Sequence, residues 1–215
     1  MKVSIDVVSD VVCPWCFIGK RNLDRALELW RAERPDGEVT IRWRPFFLNP
    51  DTPDSGEPYR PFLEKKFGGP KQLQEIWQRV SEAGRKAGIE FAFEKIELRA
   101  NTLSAHRLIH HAQTGGGSAI EDLIEALFAA QFLDGRHIGD RAVLAAVAGE
   151  CGMDAAAARR YLDSDEDVGA VRAGAEEAHR KGINGVPFFI FNDRLAASGA
   201  QPPEALLQAM REATA

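Results

Sequence analysis

The sequence predicts a mixed α/β fold in which a large block of helices interrupts a small sheet. Three observations carry that expectation. Val3-Ser4-Ile5-Asp6-Val7-Val8 alternates as a strand and leads into Cys13-Pro14-Trp15-Cys16, after which Leu23, Ala26, Leu27 and Trp30 recur at helical spacing. From about residue 71 to 182 the apolar residues keep a helical period almost throughout. The β pattern then returns at Phe188-Phe189-Ile190-Phe191, so the order is β-α-β, a helical block, then α-β-β-α.

The first strand and helix meet at the two thiols. A strand that runs into Cys-x-x-Cys and then a helix is a thioredoxin-type redox layout rather than a zinc clamp. Pro14 suits the first helical position, which needs no N–H and wants a fixed φ. Unpaired N–H groups and the helix dipole at that end favour a thiolate on Cys13; in such motifs the thiol value falls from about 8.5 to roughly 3.5–7. Cys16 lies about one turn inward, facing the core, which makes Cys13 the attacking sulfur and Cys16 the resolving one.

The remaining elements follow in order. Val39, Ile41 and Trp43 alternate with Thr40, Arg42 and Arg44, the pattern of a second strand with one buried face. Five prolines between Asn49 and Pro70 leave room only for a short helix around Phe62 to Phe67. Leu73, Ile76, Trp77 and Val80 form one helical stripe; Ile120, Leu123, Ile124, Leu127, Phe128 and Gln131 form a second; Val143, Leu144, Val147 and Ala148 a third. Thr114-Gly115-Gly116-Gly117-Ser118 reads as a flexible joint and lacks the Lys-Ser/Thr ending of a phosphate loop. Ser164 is expected to cap a helix running to Gly182, with His179, Arg180 and Lys181 at its C-terminal end. Phe188–Phe191, a turn at Asn192-Asp193 and Leu195 to Ser198 read as a hairpin. Pro202-Pro203 then opens a last helix bearing Leu206, Leu207 and Met210.

Composition narrows the function. The 215 residues carry a net charge of −5 with acids and bases interspersed, which argues against nucleic acid or an anionic membrane as partner. No apolar run approaches the ~18 residues of a membrane span, and Asp6 and Asp10 interrupt the apolar core a signal peptide would need. Three cysteines make no disulfide framework, so a cytoplasmic location with a catalytic pair is the expectation. A zinc site would need two ligands beyond Cys13 and Cys16, and no second Cys-x-x-Cys, nor a His pair at finger distance from them, exists. His106 and His110 share a helix face but lack a carboxylate in the pattern, so no metal is expected. Cys151, ahead of Gly152 as a helix stop, reads as a buried small apolar residue.

Three stretches together resemble the DsbA-like thiol–disulfide oxidoreductases, and more closely their FrnE-like branch, which is related to the 2-hydroxychromene-2-carboxylate isomerases. They are Ser9-Asp10-Val11-Val12-Cys13-Pro14-Trp15-Cys16-Phe17-Ile18-Gly19, Asn101-Thr102-Leu103-Ser104-Ala105-His106-Arg107 and Gly185-Val186-Pro187-Phe188-Phe189. The similarity runs over essentially the whole chain. It implies a thioredoxin fold with a large inserted α-helical domain: residues 1–48 and 164–215 form the two parts of the thioredoxin-like domain, and 49–163 form the insertion. It places the family's cis-proline at Pro187, with Val186 free to pair with an extended substrate beside Cys13. It also brings Asn101 and His106 from the insertion to the active-site cleft. Trp15, between the cysteines, should be partly exposed as apolar substrate surface. One departure stands out. Where many thioredoxins bury a carboxylate six residues before the first cysteine, this chain has Val7, which leaves Asp10 or water as the proton acceptor for Cys16.

The expected activity is thiol–disulfide exchange of reductase or isomerase type on a disulfide-containing protein or small thiol substrate. No bound cofactor is needed beyond a redox-active Cys13–Cys16 disulfide, and glutathione or another thiol serves as co-substrate. Two other readings compete. A glutathione-dependent isomerase of an aromatic or polyketide-type substrate is one, against which the intact cysteine pair argues, since those relatives typically carry serine at the position of Cys13. A non-catalytic thiol-binding or chaperone module is the other. The sequence leaves oligomeric state, reduction potential and recycling partner open.

Overall fold

The protein is described by a computed structural model over residues 2–115 and 120–215. Along the chain come β1 (Lys2–Ser9), α1 (Pro14–Glu33), β2 (Glu38–Pro45), β3 (Glu57–Pro58), α2 (Tyr59–Phe67) and α3 (Pro70–Lys86). β4 (Leu98–Arg99), α4 (Leu103–Thr114), α5 (Ile120–Phe132), α6 (Arg141–Glu150) and α7 (Ala155–Asp163) follow. The last are α8 (Val168–Arg180), β5 (Phe188–Phe191), β6 (Leu195–Ser198) and α9 (Pro203–Ala213).

Strand β1 is the keystone, because its two faces have different partners. It pairs parallel with β2 and antiparallel with β5, and β6 completes the order β2-β1-β5-β6. Val3, Ile5 and Val7 point into the main core with Leu23, Leu27 and Trp30 of α1. Val8 points the other way, into a smaller cluster with Phe46, Ala178 and Ile183. Asp6 shares that second face, as the period of two requires, and accepts bonds from the Arg42 and Arg44 guanidinium groups. Phe17 joins the sheet to the helices: its ring stacks on Phe128 of α5 at 5.1 Å.

The β5–β6 turn falls at Asn192-Asp193 as read: both are at positive φ, the Arg194 N–H donates to Phe191 O across them, and Arg194 adds a third residue before Leu195 pairs with Phe191. Three expectations need correction. The helical block is not continuous from 71 to 182: α3 stops at Gly88 (φ +74), and β4 pairs with β3 to form a two-stranded ribbon. Ile89 and Phe93 are buried there, and the Ala92 N–H donates to Phe132 O. Ser164 does not open the following helix. Its hydroxyl donates to Tyr161 O at the end of α7, and α8 begins at Val168 behind Asp167. Cys151 is half-buried rather than buried, because it caps α6 where Gly152 turns the chain away. The Gly115–Ser118 joint falls largely outside the described residues; Gly115 caps α4.

Candidate active site

Cys13 is the N-cap of α1, extended at φ −98° and ψ 112°, with Pro14 at the first helical position. Its carbonyl accepts from the N–H groups of Cys16 (3.0 Å) and Phe17 (3.3 Å), and its own N–H donates to Asp10 O. Both thiols are free, and both are covered: Cys13 is 5% exposed and Cys16 1%. The open end expected for Cys13 is therefore a cavity rather than bulk solvent. Cys13 lines a cavity of about 360 Å³ that Cys16 does not reach. Trp15, 38% exposed, stands at its edge.

Across from the helix end, the Cys13 Sγ lies 3.7 Å from Val186 O, and the Val186–Pro187 peptide is cis. Gly19 makes that approach feasible. A Cβ on Gly19 would stand 2.8 Å from Pro187 Cγ and 3.2 Å from Phe189. Bulk at this position, one turn beyond the motif, would force the Pro187 loop off the helix.

Cys16 is held as a neutral thiol. Burial pushes it well above the ordinary thiol range and the neighbouring Cys13 adds to this, while the Ser9 hydroxyl and the Asp10 N–H act in the opposite direction. Ser9 Oγ is buried and makes no hydrogen bond of good geometry, so its influence on Cys16 is one of proximity. Asp10 approaches Cys16 through its backbone. Its carboxylate is fully buried and turned elsewhere, accepting from Leu48 N–H (2.9 Å) and His106 Nε2 (3.3 Å). His106 Nε2 also lies 3.1 Å from Phe46 O, an acceptor only, so that nitrogen carries the hydrogen.

Cys13, Pro14, Trp15 and Val186 thus come together around one cavity, with Pro187 behind them. Asn101 and His106 do not line it. Asn101 caps α4 by accepting from Leu103 N–H and ties down the proline-rich segment by donating to Thr52 O and Asp54. Next to His106, the buried Arg107 donates to the carbonyls of Tyr161, Leu162, Ser164 and Glu166, closing the end of α7. The second stretch of the resemblance, Asn101 to Arg107, is therefore a set of structural clamps.

Sequence reasoning missed the far wall. Tyr59 stacks on Trp77 (6.4 Å), Trp77 on Phe93 (5.4 Å) and Phe93 on Phe91 (4.9 Å), and the first three rings line the cavity. Two cations accompany them. The Arg99 guanidinium lies 3.6 Å from the Phe62 ring centroid and bonds Glu57, and the Lys66 ammonium lies 5.6 Å from the same ring. The Trp77 stripe was visible as a helix face, but nothing local announces that this face borders Cys13. Among the described residues no group of three or more His, Cys, Asp or Glu side chains is arranged to hold a metal, and no helix is long and apolar enough to cross a membrane.

Comparison with known proteins agrees with this architecture. A protein of Bacillus subtilis, the uncharacterized YwbO, is 28% identical over 202 residues, 93% of this chain and 92% of that one. The crystal structure of a probable DsbA oxidoreductase from Streptomyces coelicolor is 30% identical, with a TM-score of 0.87 over 99% of this chain and 90% of that one. The cytosolic disulfide reductase DsbM from Pseudomonas aeruginosa, solved with GSH, shares the fold at 18% identity, with a TM-score of 0.70 over 97% and 99% of the two chains. The profile of the DSBA-like thioredoxin domain matches residues 4–211, and this chain belongs to that family of thiol–disulfide oxidoreductases.

Proposed function

We propose that the chain is a disulfide reductase or isomerase in which Cys13 attacks and Cys16 resolves. The observation that carries this reading is the asymmetry of the pair: Cys13 is the helix N-cap and borders the cavity, whereas Cys16 is sealed one turn inside. The Cys13 thiolate displaces one sulfur from a substrate disulfide and forms a mixed disulfide. Cys16 then loses its proton and attacks Cys13, releasing the second substrate thiol and leaving a Cys13–Cys16 disulfide. The substrate gains two electrons and the protein loses two. A small thiol returns them; glutathione is our choice, supported by the likeness to a disulfide reductase solved with it.

The Val186 backbone beside Cys13 is proposed to hold an extended substrate segment, protein or small disulfide. Residues 1–48 and 164–215 are proposed as the unit that carries the thiols, and 49–163 as the unit that walls the cavity. A reducing compartment, the cytoplasm, suits a reductase. The test is turnover: substoichiometric protein with excess glutathione should reduce a model disulfide over many cycles. Binding of the disulfide without turnover would leave only a thiol-binding module.

A further inference from the structure

Tyr59 occupies an unusual position for a phenol. It opens α2 directly behind Pro58, which pairs with Leu98 across the ribbon, and its N–H donates to Glu97 O at 2.9 Å. Its ring is fixed against Trp77 at 6.4 Å and 11° between planes. The residue is only 8% exposed, yet neither a side-chain nor a backbone partner within the described residues takes its hydroxyl. The hydroxyl is not sealed like the unpartnered polar atoms of the interior; it keeps accessible surface, and its residue belongs to the wall of the cavity that holds Cys13.

The charged groups of that wall have other engagements. Arg99 is paired with Glu57 and lies over Phe62, and Lys66 lies over Phe62 and Phe67. The Gln131 amide also borders the cavity, but its polar atoms are sealed from it. The N–H groups of Trp15, Trp77 and Asn49 border the cavity too; the Tyr59 hydroxyl is the one O–H donor among its lining residues, and it stays protonated, since burial and the charge of Cys13 both oppose its ionisation.

Resting on the reading of Cys13 as nucleophile, we propose that Tyr59 is a further catalytic residue whose O–H donates a hydrogen bond to the sulfur that leaves when Cys13 attacks. The Cys13 thiolate forms one S–S bond as the substrate S–S bond breaks, and the electron pair departs on the second substrate sulfur. Tyr59 keeps its proton throughout, and the departing thiolate is protonated by water after release. In an aromatic cavity a single donor aimed at developing charge carries more weight than in water. Its help is greatest for the least acidic leaving thiols, which are the slowest to depart.

The test is Tyr59→Phe, which keeps the ring and its stack on Trp77. First-step rates are measured by single-turnover mixing with an alkyl disulfide and with an electron-poor aryl disulfide. We expect the alkyl rate to fall by about tenfold or more and the aryl rate by less than about twofold. Thermal stability and the pH profile of Cys13 alkylation should stay as in the parent. Equal losses on both substrates, no loss on either, or a moved alkylation profile would overturn the assignment. Absence of any mixed disulfide in the unmutated protein is a separate result, which defeats the reading of Cys13 itself.

Discussion

Asp10 and His106 meet in the interior, 96 residues apart in sequence, with His106 Nε2 3.3 Å from Asp10 Oδ1 and 3.1 Å from Phe46 O. The same carboxylate accepts the Leu48 N–H, so it fastens the start of the proline-rich segment and α4 to the loop before Cys13. Removing it leaves the Leu48 N–H without its acceptor and His106 Nε2 with Phe46 O alone. Asp10→Ala should lose about 2 kcal/mol of stability, and Asp10→Asn, which keeps an oxygen, about half of that. Urea denaturation measures both, and losses below about 0.5 kcal/mol would show the network to be ornamental.

The asymmetry of the thiols predicts which variant captures a substrate. Cys16→Ser should accumulate covalent complexes through Cys13 that reductant removes, whereas Cys13→Ser should form none. Non-reducing gels with mass spectrometry of the trapped species decide it. Complexes in Cys13→Ser alone would reverse the two roles.

Alkylation separates the third cysteine from the site. Cys151 is the more exposed residue, but partial burial raises its thiol value, and Asp122 and Glu150 raise it further. Cys13 stands at the positive end of the α1 dipole. At mildly acidic pH iodoacetamide should therefore modify Cys13 first, read by peptide mass spectrometry. Cys151 labelled ahead of it would mean that access outweighs thiolate character here.

Stability of the reduced protein should decline on the alkaline side. Burial raises the Cys16 thiol above its unfolded value, so the fold favours the neutral form. The associated stability is complete below the ordinary thiol value of about 8.5 and is lost as pH rises towards the raised one. Tyr59, also raised by burial, behaves alike in both proteins compared. Between neutral and about pH 10, the unfolding free energy of the reduced parent should fall more steeply than that of Cys16→Ser. Parallel curves would count against a buried neutral thiol.

What the sequence showed clearly was local. Pro14 at N1, the stripe from Leu23 to Trp30 and the Asn192-Asp193 turn each act within a few residues, and each is found where the spacing put it. Ser164, Asp165, Glu166 and Asp167 are consecutive polar residues, and capping chemistry alone could not choose among them; the Tyr161 carbonyl takes Ser164 for α7. The β3–β4 ribbon has two residues on each side, too short for any period to register. Tyr59, Arg99 and Gln131 come from three separate elements, and only tertiary packing assembles them around Cys13. Asn101 and His106 were expected at the cleft, but their polar atoms are spent on clamping loops away from the cavity.

The place of β5 in the sheet also sets an order of events during synthesis. β5 pairs with β1 across a separation of about 180 residues, and Val186 precedes it by two positions. Cys13 and Cys16 therefore emerge from the ribosome well before the Val186 backbone that lies over Cys13. At about 5–20 residues per second, the pair is uncovered for on the order of ten seconds. For that interval the nascent chain presents two unprotected thiols to its surroundings, and the backbone ahead of the hairpin closes over Cys13 only once Val186 has been made.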